Sequence, residues 1–330
     1  MHVTTTVWVV TMVATVAALA IDVLVIGRRP HEPSTGEVSR HLVGYLLAAV
    51  AFGVGIYVVS GPRYSGEFFA GWLTEYSLSI DNLFIFIIIM SKFAVPRELQ
   101  QTALLVGIIL ALVFRGAFIA VGAAAINQFS WVFYLFGLFL VWTAVSLARE
   151  GAEEDQQYDE PRLVGYVRRH FPVTEEWHGT KLLHRVGGQR MMTPMFLVIL
   201  ALGMTDLLFA LDSIPAIYGL TREPYLVFTA NVFALMGLRQ LYFLIGGLLQ
   251  RLVYLAYGLA FLLFFIGVKL ILHALHHNEL PFVNGGEHVE WAPEIPIWAS
   301  LVTIVGTLAA TAVASLVHER RVQRGQRSDG

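Results

Sequence analysis

The chain has 330 residues, of which 56% are hydrophobic and 14% charged, with a formal net charge of −2 and no cysteine. Soluble domains carry roughly a quarter charged residues, so the composition points to a membrane protein. It offers nucleic acid no basic stripe, and without thiols it excludes disulfides, thiolate metal sites and thiol redox chemistry.

The predicted fold class is an all-α polytopic membrane protein with about nine transmembrane helices. A span needs about 20 mostly apolar residues. Segments of that kind run over 3–26, 41–60, 67–90, 99–123, 131–148, 193–219, 225–248, 252–272 and 295–317. The first run has no basic leader and no small-residue cleavage site, and reads as a membrane helix rather than a signal peptide. The chain divides into two N-terminal helices (1–65), a three-span unit (66–148), a polar loop (149–192) and a second three-span unit (193–272). An acidic loop, a last span and a basic tail follow (273–330). The polar loop, with AEEDQQYDEP and VRRHFPVTEEWHGTKLLHR, reads as a loop with one short surface helix. With the N-terminus outside, the inner loops and tail hold seventeen Lys and Arg residues and the outer loops hold two, Arg63 and Arg222. That asymmetry predicts a C-terminus in the cytoplasm and a location in the cytoplasmic membrane, with the lipid bilayer as the first partner.

The two three-span units read as copies. TEYSLSIDN (74–82) aligns with TDLLFALDS (205–213), setting Glu75 on Asp206, Asp81 on Asp212 and Asn82 on Ser213. LVFRGAF with Arg115 matches LMGLRQLYF with Arg239, and YLFGLFLVW (134–142) matches LAYGLAFLL (255–263). Three spans is an odd number, so the second copy is expected to be inverted, an arrangement that transporters use around a polar site near the midplane.

Charges inside predicted spans sharpen this expectation. Asp22, Glu75, Asp81, Asp206 and Asp212 stand against Arg115, Arg239 and Lys269, leaving two negative charges that hydrocarbon does not tolerate bare. Protons or a divalent cation would neutralise them. At 100° per residue, Glu75 and Asn82 share a helix face, as do Asp206 and Ser213, whereas Asp81 and Asp212 lie about 120° around. One straight helix cannot gather its own two acids, so either both units contribute or a helix breaks. Pro215 in ALDSIPAIYG offers such a break, freeing the carbonyl of Leu211. The donors are oxygen only, which suits Mg²⁺, Ca²⁺ or Mn²⁺. Arg115 and Arg239 either lock the bundle by pairing with acids or supply working charge. Asp22, just before Gly27-Arg28-Arg29, reads as a ligand or as an interfacial ion pair. Lys269 sits near the end of its span, where it can snorkel. His273 and His277, at i and i+4 in HALHHNEL, have a spacing that can hold a transition metal, though a cap on an exposed helix end is the simpler reading.

These residues resemble the TerC/Alx family of bacterial membrane proteins over nearly the whole chain. The likeness runs from AIDVLV (20–25) through LTEYSLSIDN and FGLFLVWTAV to FALDSIPAI (209–217), TANVFALMGLRQLYFL (229–244) and YGLAFLLFFIGVKLIL (257–272). The resemblance implies Mn²⁺ efflux, with an older association with tellurium resistance. It assigns metal binding to Glu75, Asp81, Asp206 and Asp212, with Asn82 and Asn231 nearby and Asp22 contributing. Family members often carry a glutamate at the position occupied here by Gly203, so this site would hold one fewer carboxylate. The expectation is a divalent metal exporter, with Mn²⁺ as cargo, possible proton coupling and no permanently bound cofactor. The alternative is a membrane scaffold or assembly factor acting through 149–192. No nucleophile–base pair, phosphate loop or H-E-x-x-H suggests an enzyme.

Overall fold

The computed structural model describes residues 3–28, 33–129, 131–150, 162–186, 189–245, 254–278, 280, 283–289 and 291–328. The chain is a bundle of long helices: α1 (Thr5–Arg28), α2 (Thr35–Ser60), α3 (Pro62–Lys92), α4 (Arg97–Gln128), α5 (Val132–Glu150), then a short α6 (Arg162–His170), α7 (Pro194–Tyr218), α8 (Pro224–Ile245), α9 (Leu255–His276) and α10 (Ile297–Ser328). Eight of these, α2 to α5 and α7 to α10, are long and apolar enough to cross a membrane. The first predicted span, α1, is apolar over the shorter stretch Thr5–Ile21. Most helices begin or end several residues beyond the apolar runs, because local capping rather than hydrophobicity sets their ends. Ser34 accepts from the Glu37 amide at the start of α2, in an S-x-x-E pattern, and Thr193 caps α7 ahead of Pro194. Gly61, at φ 91°, makes the corner between α2 and α3.

The loop holds more than the one helix expected. Two short antiparallel strands, β1 (Leu183–Val186) and β2 (Gln189–Met192), pair Val186 with Gln189. The intervening residues are Gly187-Gly188, the composition that two-residue hairpin turns favour. Val164 and Val167 of α6 are buried in the same cluster as Met90, Val95 and Met195, and Arg168 lies over the Phe93 ring at 5.6 Å. The loop is therefore seated at the C-terminal end of α3 and the N-terminal end of α7.

Three helix pairs dominate the packing: α5 with α9, α3 with α8, and α4 with α7. Small residues let them close. A Cβ on Gly267 would stand 2.9 Å from the Gly137 carbonyl oxygen and 3.0 Å from the Val141 nitrogen, and one on Gly137 would stand 2.8 Å from the Gly267 carbonyl oxygen. Here two backbones touch directly, as at small-residue crossings in membranes. Contacts of Gly137 with Ile271 and of Gly267 with Val141 run in opposite senses, so α5 and α9 are antiparallel. Gly107 meets Leu202 and Gly203 meets Leu110, so α4 and α7 run parallel.

Gly267→Val should unfold at a lower temperature than the parent in detergent, by the ~1–3 kcal/mol that overpacking typically costs. Gly44→Ala, where nothing lies within 4 Å of the added Cβ, should be neutral or slightly stabilising.

Candidate functional site

A membrane-embedded arginine needs partners for its N–H groups, because hydrocarbon supplies none. Arg115, midway along α4 and fully buried, finds them on three other helices. Its Nε and Nη2 donate to Asp206 Oδ2 and Oδ1 at 2.8 and 2.9 Å, a two-pronged pairing. Its Nη1 donates to Ser213 Oγ at 3.2 Å and to Asn231 Oδ1 at 3.0 Å, and also meets Glu75 Oε1. Asn231 is oriented by its own Nδ2, which donates to the Val227 carbonyl at 2.9 Å. Glu75, Asp206, Ser213 and Asn231 are all buried. Asp206 and Ser213 reach one guanidinium because seven residues return them to the same face of α7. Glu75 comes from α3, so acids from the two three-span units meet at one point.

Two carboxylates against one guanidinium leave one negative charge over if both are ionised. Glu75 Oε2 is buried and accepts no hydrogen bond. Asn82 is buried on the Glu75 face of α3. Asp212 is half-exposed, on a different face of α7 from Asp206. Arg239 is buried on α8. With the Gln240 amide turned so that its nitrogen donates to the Met236 carbonyl, its oxygen accepts from Arg239 Nη2 at 2.9 Å. The side chains of Asp22 and Asp81 lie outside the described residues. The expected break at Pro215 does not occur: α7 runs unbroken from Pro194 to Tyr218. Pro215 removes the helical donor of the Leu211 carbonyl without ending the helix. Gly203 packs against α4, where a Cβ would come within 2.4 Å of Leu110 Cδ2. Leu110 thus fills the space that a longer residue at position 203 would need.

Sequence reasoning missed one carboxylate. Glu67, at the start of the third span, is buried, accepts from Arg63 Nε at 2.9 Å and from Thr221 Oγ1 at 2.6 Å. The R-x-x-x-E spacing of Arg63 and Glu67 was the available signal. Glu67 lines a cavity of about 630 Å³ with Thr221, Arg222, Lys269, His273 and Glu294. Lys269 does not merely snorkel: its Nζ donates to Ser300 Oγ at 2.9 Å. Burial pushes the Arg222 guanidinium below its ordinary pKa, and the Glu294 carboxylate pulls it back up. This cavity lies at the N-terminal end of α3, the opposite end from α6 and the hairpin.

The profile of the integral membrane protein TerC family matches residues 60–323. The chain belongs to the TerC family. An uncharacterized membrane protein of Mycobacterium tuberculosis (strain ATCC 25618 / H37Rv) is 45% identical over 312 residues, covering 94% of this chain and 78% of that one. An uncharacterized membrane protein of Myxococcus xanthus is 35% identical over 305 residues, covering 92% and 90%. A protein of Escherichia coli (strain K12) described as a candidate membrane-bound redox modulator, Alx, is 34% identical over 303 residues, covering 89% and 88%. No solved structure matches the chain.

Removing the Arg115 charge leaves two buried carboxylates uncompensated, which typically costs ~3–5 kcal/mol. Arg115→Met should therefore lower the unfolding temperature sharply, and Arg115→Met combined with Asp206→Leu should recover part of that loss. Thermal unfolding of the single and double variants in detergent measures the coupling.

Proposed function

We propose that this TerC-family protein exports a divalent metal ion, Mn²⁺ foremost, across the cytoplasmic membrane. The observation that carries the reading is the meeting of Glu75 and Asp206, matched positions of two three-helix units, on one buried guanidinium with negative charge to spare. A carboxylate placed at depth costs at least ~2.5–3.5 kcal/mol and is kept for work. The donors around Arg115 are carboxylate, hydroxyl and amide oxygens, which suit Mn²⁺, Mg²⁺ or Ca²⁺ better than softer metals.

Arg115 acts in this mechanism as the resident counter-charge. With no cargo aboard, the guanidinium holds Asp206 with two hydrogen bonds and keeps the centre neutral enough to survive in lipid. An arriving metal ion draws the Glu75 and Asp206 oxygens from the guanidinium, with Asp81, Asp212, Asn82, Asn231 and Asp22 completing the route and Arg239 supporting the second half. When the ion leaves, the carboxylates return to Arg115 or take up protons, which gives a basis for proton exchange.

The inverted-repeat reading has support in the packing. Exchanging α3, α4 and α5 with α7, α8 and α9 turns the α3–α8 pair into the α7–α4 pair and leaves the α5–α9 pair unchanged, and these are the three dominant pairs. Rocking of two such halves would expose a shared site alternately. The cavity beside Glu67 lies ~12 Å from Glu75 along α3, at the helical rise of 1.5 Å per residue, and would serve as the outer vestibule under the predicted orientation. The redox role in the description of the Alx relatives would have to be exercised here without a thiol, since the chain has no cysteine.

A second reading, a membrane scaffold, draws on the loop surface. Leu163, Tyr166, Phe171 and Leu183 are exposed there beside Arg168, Arg169, Arg185 and Arg190. In cells lacking the parent protein, Glu75→Gln and Asp206→Asn should insert normally yet leave Mn²⁺ tolerance unrestored and cellular Mn²⁺ raised. Full complementation by both variants, with failure on deleting 162–192, would instead establish the scaffold. In everted vesicles, export should weaken as the pH of the receiving compartment is raised at fixed Mn²⁺; a rate indifferent to that pH removes proton coupling.

A further inference from the structure

A second cluster lies at the cavity end of the bundle, separate from the Arg115 centre and different in its donor chemistry. His273, His277 and Glu294 place one ring nitrogen of each histidine and one Glu294 oxygen within 4.8 Å of one another. His273 Nδ1 is 3.8 Å from Glu294 Oε1, and His277 Nε2 is 3.9 Å from the same oxygen. Tetrahedral coordination with bonds of about 2.0–2.1 Å sets donors ~3.4 Å apart, so each histidine nitrogen needs to come only about half an ångström closer to the Glu294 oxygen.

Each donor is held by its surroundings. His277 Nδ1 faces the His273 carbonyl at 3.3 Å; donating there leaves the Nε2 lone pair aimed at Glu294, the second-sphere arrangement usual for a metal-binding imidazole. The His273 ring stands edge-on against Phe133, with centroids 5.4 Å apart. Glu294 lies between Pro293 and Pro296, two residues after Ala292, whose carbonyl is bonded to His276 Nδ1 at 3.1 Å. His288 Nδ1 meets the His276 carbonyl at 2.9 Å, and the Val289 amide donates to the Leu275 carbonyl at 3.2 Å. The return loop is thus tied to the end of α9, and Glu294 is delivered to the two histidines from seventeen residues further along the chain. The i, i+4 histidine spacing alone lacked this third donor.

We propose that His273, His277 and Glu294 form a site for a first-row transition metal ion, distinct from the oxygen-only centre and independent of whether that centre transports. Two imidazoles and a carboxylate are a zinc-type donor set with at least one position left for water. Nitrogen donors favour the later metals, so Zn²⁺ and Co²⁺ bind more tightly than Mn²⁺. Arg222 regulates loading. Its guanidinium can only donate, so its Nη2 contact with His273 Nε2 makes Nε2 the lone-pair side and puts the ring proton on Nδ1, toward Glu294. Metal binding at Nδ1 moves that proton to Nε2, with no net release, and requires Arg222 to turn from His273. The guanidinium keeps its place over the Phe133 ring, 4.5 Å from the centroid. The metal and the arginine therefore compete for one imidazole.

The test uses full-length protein in detergent titrated with Co²⁺, whose visible absorption reports coordination and whose X-ray absorption fine structure reveals bound histidine by multiple scattering from the imidazole ring. The parent should show one site with two histidine nitrogens. His277→Ala and Glu294→Gln, at exposed positions, should each weaken it roughly 100-fold, the upper end of what loss of even a second-sphere partner costs a metal site. Arg222→Gln should tighten it roughly 10-fold by removing a nearby positive charge and offering an oxygen to the Nε2–H. Asp206→Asn should leave this spectrum unchanged whether or not it abolishes Mn²⁺ export. Unaltered Co²⁺ binding in His277→Ala and Glu294→Gln, a spectrum without histidine nitrogen, or weaker binding in Arg222→Gln would each overturn the proposal.

Discussion

A guanidinium has five N–H groups and no way to shed its charge, and Arg115 carries one into the middle of a membrane bundle. The constraint that follows organises much of the interior. Asp206 must present both oxygens, Ser213 and Asn231 must point inward, and Glu75 must approach from a fourth helix. α3, α4, α7 and α8 are thereby tied to one side chain. The apolar packing is cut to allow it: Gly107 and Gly203 let α4 and α7 approach, so that an arginine on one reaches an aspartate on the other. Pairing of this kind gives register more reliably than net stability, because desolvation offsets most of the attraction. The same property makes the centre responsive, since a proton or cation that takes one carboxylate changes what four helices share.

The polar interior is graded along the bundle. At the N-terminal end of α3, Glu67, Arg63, Thr221 and Lys269 line the cavity of about 630 Å³, with Glu67 paired to Arg63 and Lys269 bonded to Ser300 behind it. Deeper, the ion pairs that centre on Arg115 are fully buried. At the other end, α6 and the hairpin cover the helix termini with a basic, partly apolar surface. Nitrogen donors occur at the cavity mouth and oxygen donors at depth, so the two clusters differ in donor chemistry.

Much of the centre was legible in the sequence because its residues are expensive in lipid and recur at matched positions. The alignment of Glu75 with Asp206 anticipated their meeting, and helical periodicity placed Ser213 beside Asp206. Which role the arginines take was open, since pairing and working charge leave the same letters in a sequence; in the fold Arg115 is paired with Asp206 and Glu75. The break at Pro215 was over-read: a proline removes one hydrogen bond, but neighbouring helices decide whether the helix bends. Glu67 escaped notice because it stands at the margin of an apolar run, where charge is ordinary. The hairpin escaped because four-residue strands carry too little alternation to stand out from a polar loop. Glu294 could not be tied to His273 and His277 by spacing, since only the folded return loop brings it back.

The crossing of α5 and α9 has a mechanical consequence. Over Gly137 and Gly267 the two main chains approach closely, and the side chains of Ile271 and Val141 each lie against the glycine of the opposing helix. The crossing is thereby keyed: sliding would carry either side chain into the opposing main chain. It joins the one helix of each three-helix unit that takes no part in holding Arg115, so the two units are clasped along a seam that leaves the charged centre alone.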